Sequence, residues 1–568
     1  MSAAPTSATR RAISRATSAL PLLALLAVTA MLYARVGDYP FLHWDDGVYV
    51  SEHPALRRIA AGEGGAFTEL LSPREALAGR RWEYLPLRDL SYGLDAWRAG
   101  LAPRAFHLTN LGLHLLAVLL VWSLARALGL GAAPALAAAA LFALHPLAVE
   151  PTAWISARKD LLYTALALAA LLALLQARHR RGRSRAFAFG AFIAATLAAL
   201  ASKGPAVIVP LLAAVLVWRC FPAEQRSSAR WPLWGLGAVA AGWALLSLVI
   251  GRRSGILSSG ATSLGERLGS VLGAPAHALA QLAWPVALSP SYRHPAGSVW
   301  AQPEPWVGLA LAVVVAALVV VAHRRPAPSP APPAAGALAL CAWLALLPTA
   351  GLINVAQPRA DRFLYLPLAC AALAIGALLQ AAAPRLRRGL ALATAAALLL
   401  CAAQTQRYLA VWRHDLKLWT HVVAADPDHP LANGQLAALA IEQGQLVLAK
   451  RLLDRALAHG PRLAPSWSNL GRWWQLQAGP GALRPGDGRR ADQLAQAERA
   501  FGRALALDPR YAPPYLELAR LAQQRGDARR AEALLRRALT LPRCPATARL
   551  QLQALRNATP ALSPRPAR

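Results

Sequence analysis

Acidic residues are scarce in this sequence: 28 Asp and Glu stand against 60 Lys and Arg, and charged residues of both signs make up only 15% of the chain. So little charge, beside 56% hydrophobic residues over 568 positions, excludes a single water-soluble domain and leaves a chain solvated mostly by lipid. Cysteine is equally thin. Cys220, Cys341, Cys370 and Cys401 fall in or beside apolar stretches and Cys544 stands alone near the end, so no paired spacing builds a disulfide framework or a metal site. Nor do basic runs alternate with aromatics, as a nucleic-acid surface would require; the arginine clusters fall between apolar segments, where they report topology. No nucleic acid partner is expected.

Long apolar runs are what the chain has instead. A spanning helix needs about 20 mostly apolar residues, and such segments lie near 17–35, 106–126, 133–149, 159–177, 186–202, 205–219, 231–250, 305–322, 335–350, 363–380 and 389–405. That is about eleven spans. The first resembles a signal peptide, with Arg10, Arg11 and Arg15 before it and Val28-Thr29-Ala30 inside it, but its apolar run continues through Met31-Leu32-Tyr33 and reads as an uncleaved helix. Arginines crowd the loops at 178–185, 324–325 and 385–388, all on the N-terminal side of an eleven-span chain, so the positive-inside rule places the N-terminus in the cytoplasm of a bacterial inner membrane. The loop 37–104 then faces outward, and it carries ten acids against eight arginines. Within 251–303, the stretch 264–288 reads as an interfacial or re-entrant helix.

After about residue 405 the text becomes amphipathic and is punctuated by Asp426-Pro427, Gly460-Pro461, Asp508-Pro509 and Leu541-Pro542. Spacings near 34 residues, with small residues such as Ala456 and Ala504 ahead of the proline, are the signature of tetratricopeptide (TPR) helical hairpins. The middle unit is longer because Gly479-Pro480-Gly481 to Asp487-Gly488 is inserted as a loop. The expected fold is all-α, with a polytopic membrane domain over 1–405 and a TPR domain over 406–568. An odd span count puts the TPR domain outside the membrane, periplasmic or extracytoplasmic, where its concave face would hold an acceptor or protein partner and its many arginines would meet anionic lipid headgroups.

Motifs sit at the expected outer ends of the spans. Trp44-Asp45-Asp46 with Tyr49 follows the first; Phe106-His107-Leu108-Thr109-Asn110-Leu111 with His114 opens the second; Phe142-Ala143-Leu144-His145-Pro146 precedes Glu150, Trp154 and Ser156-Ala157-Arg158-Lys159-Asp160; Asp361-Arg362-Phe363-Leu364-Tyr365-Leu366-Pro367 comes late. In this order they resemble the transmembrane-and-TPR family of O-mannosyltransferases and its bacterial relatives, of the GT-C glycosyltransferase superfamily, over nearly the whole chain. Two places depart from that pattern. Tyr84-Leu85-Pro86-Leu87 stands where the family has Tyr-Arg-Pro-Leu, with Arg88 as a substitute, and Lys203-Gly204 stands where it has Lys-Glu.

The resemblance implies a GT-C-type fold and an inverting transfer of a sugar from a polyprenyl phosphate to a hydroxyl of a protein, glycan or lipid acceptor. A lack of conventional nucleotide-binding motifs suits such a donor. The residue types agree: one carboxylate must take the acceptor's proton, worth roughly 10²–10⁴ in rate, and Asp45 or Asp46 is the base, the other orienting the acceptor or binding a divalent cation. Cations must meet the leaving phosphate, and Arg158, Lys159 and Arg362 are the choices. His43, Trp44, Tyr84, Arg88, His107, His145, Glu150 and Asp361 complete the candidate pocket. Plainer readings stand beside these: snorkelling anchors and local ion pairs for Arg158-Lys159-Asp160 and Asp361-Arg362, a hydrogen-bonded helix end for His145 rather than a metal pair with Glu150, and an aromatic belt for Trp44, Trp82, Trp97 and Trp154. A scaffold with no catalytic role, assembling envelope proteins on its TPR tail, is the alternative from another class. No metal or other cofactor is required by the spacing.

Overall fold

The computed structural model describes residues 7–79, 81–257, 263–293, 298–324, 335–353, 357, 359–479, 488–541, 544 and 547–558, with side chains from Leu20 onward except at a few positions late in the 304–324 helix. Arg10, Arg11, Arg15, Arg324 and Arg325, the inserted loop from Pro480 to Asp487 and the Pro542 end of the repeat pattern therefore lie outside what can be described in side-chain detail. Every regular element among the described residues is helical. The apolar text forms α1 (Ser7–Tyr33), then, after a small loop domain, α6 (Pro103–Ala127), α7 (Ala132–Leu144), α8 (Val149–Ala153), α9 (Arg158–Ala177), α10 (Gly182–Leu200), α11 (Val209–Cys220) and α12 (Ala223–Ser254). It continues as α13 (Leu264–Ala283), α14 (Glu304–Arg324), α15 (Ala335–Leu346), α16 (Tyr365–Ala381) and α17 (Arg387–Leu409). Among the described residues seven helices are long and apolar enough to cross a bilayer, the bent pair α7 and α8 makes an eighth, and three shorter apolar helices lie at Gly204–Cys220, Glu304–Ala317 and Ala335–Thr349. This is a polytopic membrane architecture, and its apolar segments coincide with the eleven expected from the sequence. The 264–288 stretch contains α13, which is too polar to join the spans.

Alanine decides how tightly the bundle closes. Ala117, Ala125, Ala135, Ala139, Ala165 and Ala167 are fully or almost fully buried between α6, α7 and α9, where small side chains let helices without a hydrophobic driving force approach closely. At Gly376 in α16 a Cβ would stand 2.9 Å from the Pro134 carbonyl, so only glycine allows this crossing of α16 and α7. The outward faces carry leucine instead: Leu392, Leu399 and Leu400 of α17 are each about 70% exposed or more, which suits lipid and not water.

Between α1 and α6 the loop domain folds as α2 (Pro54–Ala60), α3 (Phe67–Leu71), α4 (Arg74–Leu77) and α5 (Pro86–Ala99), with its own small core of Leu56, Ile59, Leu70, Tyr92 and Phe106. Pro86 and Pro103 each open a helix, where the missing N–H costs nothing and φ is already set. Gly100, at φ +62°, ends α5.

After α17 come α18 (Asp415–Ala425) and the hairpins α19 (Pro430–Glu442) with α20 (Leu446–His459), α21 (Ala464–Ala478) with α22 (Gly488–Leu507) and α23 (Pro513–Gln524) with α24 (Ala528–Leu539), closed by α25 (Thr547–Ala558). The compositional boundary at 405/406 falls inside α17, whose last, more polar turn continues to Leu409. Small residues fill the hairpin contacts: a Cβ on Gly471 would meet the Phe501 ring at 2.6 Å. The TPR domain does not hang free. Trp412, Leu418, Trp419 and Val422 are buried in the core they share with the membrane helices. Arg293 pairs with Asp426 at 3.1 Å, the His421 ring bonds the Leu288 carbonyl at 2.9 Å, and at the far end Arg510 donates to the Arg253 carbonyl at 2.6 Å. The TPR domain thus sits at the same end of the bundle as the 37–104 loop domain.

Candidate functional site

Two irregular stretches meet at that end. The first follows α1, where the chain runs through Tyr39–Leu42 without regular structure and turns at His43–Asp45, just before Asp46. The second is the break between α7 and α9. Proline at 146 has no N–H and holds His145 extended (ψ 135°), which bends the chain by 57° and returns it through Trp154 and a 3-10 turn at Ile155–Ala157. Asp46 joins the two. Its Oδ2 accepts from the Leu42 amide at 3.0 Å, and its Oδ1 accepts from the Ser156 amide at 3.0 Å and from the Ser156 hydroxyl. It is 1% exposed, and burial pushes its carboxyl up to about 7 against those three donors, with the neighbouring Asp45 charge adding to the rise. Trp44 stacks on Trp154 with centroids 4.6 Å apart, and Trp154 stacks on Trp412 at 5.9 Å. Asp45, half-buried at the tip of this turn, lies within electrostatic range of Arg362.

Arg362 comes from the 3-10 turn Asp361–Leu364 that opens α16. Its amide donates to Glu150 at 2.9 Å, one guanidinium nitrogen meets the other Glu150 oxygen, another donates to Gln357 at 2.6 Å, and its carbon lies 5.1 Å from the Trp154 ring centre. The Phe363 ring has Arg362 and the Lys203 ammonium each 4.9 Å from its centre. Lys203 is 5% exposed and pairs with Asp160. Lys159 pairs with Glu83 at 2.7 Å, and Glu83 also meets Arg88 at 3.2 Å. Burial alone would raise the Glu83 carboxyl, but Lys159 and Arg88 outweigh it and hold it at about 2. Lys203 acts on Glu83, and Lys159 and Arg362 act on Lys203, so these three cations share one field.

The structure therefore brings Asp45, Asp46, Trp44, Glu150, Lys159, Arg362 and, through Glu83, Arg88 into one network. Arg158 stands apart from that field. It is fully buried, with Nε on Asn110 at 2.8 Å, one terminal nitrogen on Asp95 at 2.6 Å and the other on the Phe106 carbonyl at 2.8 Å. Tyr84 gives its hydroxyl to the Leu71 carbonyl at 2.8 Å, inside the loop domain. Buried His107 lies edge-on to Tyr39 at 6.1 Å. His145 closes its helix end, accepting from the Leu147 amide at 3.2 Å and bonding the Leu282 carbonyl at 3.1 Å, while Glu150 turns to Arg362. Asp361 does not pair with its neighbour Arg362; it accepts from the hydroxyls of Tyr292 at 2.6 Å and Tyr408 at 2.9 Å. Local pairing fails for the 158–160 triplet too, since each member has a distant partner. Trp154 is 2% exposed and so is no belt residue, whereas Trp97, at 65%, suits one. His43 points outward at 77% side-chain exposure and bonds Asp415 through both its amide and its Nδ1, each at 2.9 Å. Among the described residues no three His, Cys, Asp or Glu side chains converge to hold a metal ion.

Sequence reasoning passed over Glu83, Tyr292, Tyr408 and Asp415, and it read Asp160 as a local partner of Arg158 and Lys159, whereas Asp160 pairs with Lys203. Glu83 had a signal, its place beside the Tyr84-Leu85-Pro86-Leu87 motif; the tyrosines had none.

A tetratricopeptide repeat model matches residues 489–551. Two Drosophila melanogaster proteins are similar in part: protein O-mannosyl-transferase Tmtc1, 39% identical over 84 residues, and Tmtc2, 35% identical over 144 residues, covering 15% and 24% of this chain. The chain spans only 10% and 15% of the length of those two relatives. Solved structures of ArnT from Cupriavidus metallidurans, in the apo state and bound to undecaprenyl phosphate, superpose with TM-scores of 0.36 and 0.37 at 14% and 15% identity. Those superpositions cover 85% and 86% of this chain and 75% and 88% of theirs.

Proposed function

We propose that this chain, a relative of the transmembrane-and-TPR O-mannosyltransferases, is a membrane glycosyltransferase that moves a sugar from a polyprenyl phosphate to a hydroxyl acceptor with inversion. The observation that carries this reading is the meeting of the Asp45–Asp46 turn with the Lys159, Lys203 and Arg362 field at one end of the bundle. A carboxylate beside a cluster of cations is the pairing that such a displacement needs. The acceptor oxygen attacks the anomeric carbon while the bond from that carbon to the phosphate oxygen breaks; the acceptor proton passes to a carboxylate, and the polyprenyl phosphate leaves with the bonding electrons. The phosphate's developing charge is met by Arg362, Lys203 and Lys159, which hold Glu150, Asp160 and Glu83 until it arrives.

Surroundings separate the two aspartates. Asp46 is enclosed by three donors, which fits an anchor for the turn. Asp45, half-buried at the tip, is the base. Arg158 becomes a positioning residue that fixes the start of α9, so that the next residue, Lys159, faces Glu83. Arginine clusters at the opposite end support a site on the non-cytosolic face: Arg178, just past the end of α9, stands a full helix length, roughly 30 Å, from Lys159.

The test is transfer of mannose from a polyprenyl phosphate by the full chain in lipid nanodiscs. Asp45→Asn is expected to slow it by roughly 10²–10⁴. Undiminished transfer by Asp45→Asn, Asp46→Asn and the double variant would sink the proposal and leave the scaffold role standing.

A further inference from the structure

Arg362 has a carboxylate next to it in the chain and does not use it. Asp361 is fully buried, and its two oxygens accept from the hydroxyls of Tyr292 at 2.6 Å and Tyr408 at 2.9 Å. Chain neighbours of this kind do pair elsewhere in the molecule, where Arg88 and Asp89 meet at 2.7 Å. The choice matters because the Asp361–Leu364 turn is a four-residue 3-10 segment, too short to fix its own orientation, and Glu150 lies within electrostatic range of Asp361. Two carboxylates thus flank one guanidinium, and the tyrosines decide which of them it meets. Each hydroxyl is itself fixed. That of Tyr292 accepts from the Ser289 amide at 3.1 Å, so its own proton is aimed at Asp361, and Tyr408, 3% exposed, stands in the last turn of α17. Both tyrosines come from segments seated on α18: the His421 ring bonds the Leu288 carbonyl, Arg293 pairs with Asp426, and the Tyr408 ring lies 5.9 Å from that of His421.

We infer that Tyr292 and Tyr408 are positioning residues: by satisfying Asp361 they keep it from its neighbour, so that the Arg362 guanidinium stays turned to Glu150 and Trp154, where it meets the donor phosphate. The inference rests on the transfer reading above, in which Arg362 is a phosphate ligand, and deepens it by saying what holds that ligand in place. The physical reason is the cost of a bare buried charge. Without its two hydroxyls Asp361 would turn to the cation beside it, and that pairing would draw the guanidinium off Glu150 and the Trp154 ring. Because both tyrosines rest on α18, the seating of the first helix after the membrane domain sets this ligand as well.

The test is the donor KM of the full chain in nanodiscs, in the same mannose transfer assay, together with binding of undecaprenyl phosphate followed by native mass spectrometry. Tyr292→Phe with Tyr408→Phe deletes only the two hydroxyls and is expected to raise the donor KM and the undecaprenyl phosphate Kd about tenfold, the loss of one hydrogen bond to a charged group. A fold defect would behave otherwise: it lowers the active fraction and with it the apparent kcat, and leaves KM and Kd where they were. Adding Asp361→Asn removes the charge that competes for Arg362 and should bring both constants most of the way back. In an Arg362→Ala background the tyrosine substitutions should change nothing further, since they act through that side chain. Arg293→Ala with His421→Ala, which loosens α18 without touching Asp361, should raise the donor KM in the same direction. Constants within about twofold of the parent in the double Phe variant, no recovery on adding Asp361→Asn, or equal tyrosine effects with and without Arg362 would each overturn the inference, and an unmoved donor KM in the Arg293, His421 variant would overturn the part played by α18. The two proposals fail separately. If the parent transfers sugar and the double Phe variant matches it, the positioning is wrong and the transfer reading stands. If the parent transfers none, yet undecaprenyl phosphate binding falls in the double Phe variant and returns with Asp361→Asn, the transfer reading is wrong and the positioning stands; a parent that neither binds nor transfers removes both.

Discussion

Asp45 and Asp46 are chain neighbours with opposite surroundings, and substitution should separate what each does. An amide at position 46 carries one oxygen and one NH₂ group. Whichever way it is turned, that NH₂ faces either the Leu42 amide or the Ser156 amide, each an N–H that can only donate. A donor set against a buried donor costs about 1–3 kcal/mol. Asp46→Asn is therefore expected to lower the thermal midpoint of the purified protein measurably, and by more than Asp45→Asn at the half-buried tip. Thermal unfolding in detergent, followed by intrinsic tryptophan fluorescence, reads both, because Trp44 and Trp154 stack directly on this turn. The opposite ranking would make Asp45 the structural residue and Asp46 the reactive one.

The start of α9 shows how an element is fixed by partners that its own sequence does not name. Arg158 stands in the first turn, where the helix dipole disfavours a cation. What holds it there is Asp95 from α5, with Asn110 and the Phe106 carbonyl from α6, so one guanidinium ties three helices together. Arg158→Ala removes the partner of a buried carboxylate and should cost about 3–5 kcal/mol, seen as a loss of folded protein in size-exclusion yield. Arg158→Lys should recover only part, since a single ammonium cannot reach three acceptors held in a planar fork. Full yield from Arg158→Ala would return this residue to the list of phosphate ligands. The apolar runs and the 34-residue offsets were legible because they are periodic, and so the helices and hairpins follow from them. The pairings were not, because consecutive residues on a helix point about 100° apart and reach different neighbours: Arg158 meets Asp95, Lys159 meets Glu83 and Asp160 meets Lys203. The acidic turn and Arg362 could be picked out as residue types in motifs, but Tyr292 and Tyr408, which hold Asp361, come from loop and helix text with no distinguishing pattern.

Over the whole molecule, the TPR domain is tied to the bundle by contacts of different strength, and one of them titrates. His43 is raised above its ordinary 6.5 chiefly by its hydrogen bond to Asp415, with burial acting the other way. A histidine whose folded value is raised adds stability that is fully present below 6.5 and is lost as pH climbs through the higher folded value. Because the ring is 77% exposed, solvent screens the pair and its worth is about 0.2–1 kcal/mol, at most roughly a fivefold change in local opening. Amide hydrogen exchange across α18, corrected for the intrinsic rate, should therefore rise by up to that factor between pH 6 and pH 8. His43→Ala should remove the pH dependence by fixing exchange at the higher level, whereas Arg510→Ala, which releases the far end from the Arg253 carbonyl, should keep it. Exchange in α18 that ignores pH in the parent, or that keeps its pH response in His43→Ala, would mean that this histidine does not govern the join between the acidic turn and the repeats.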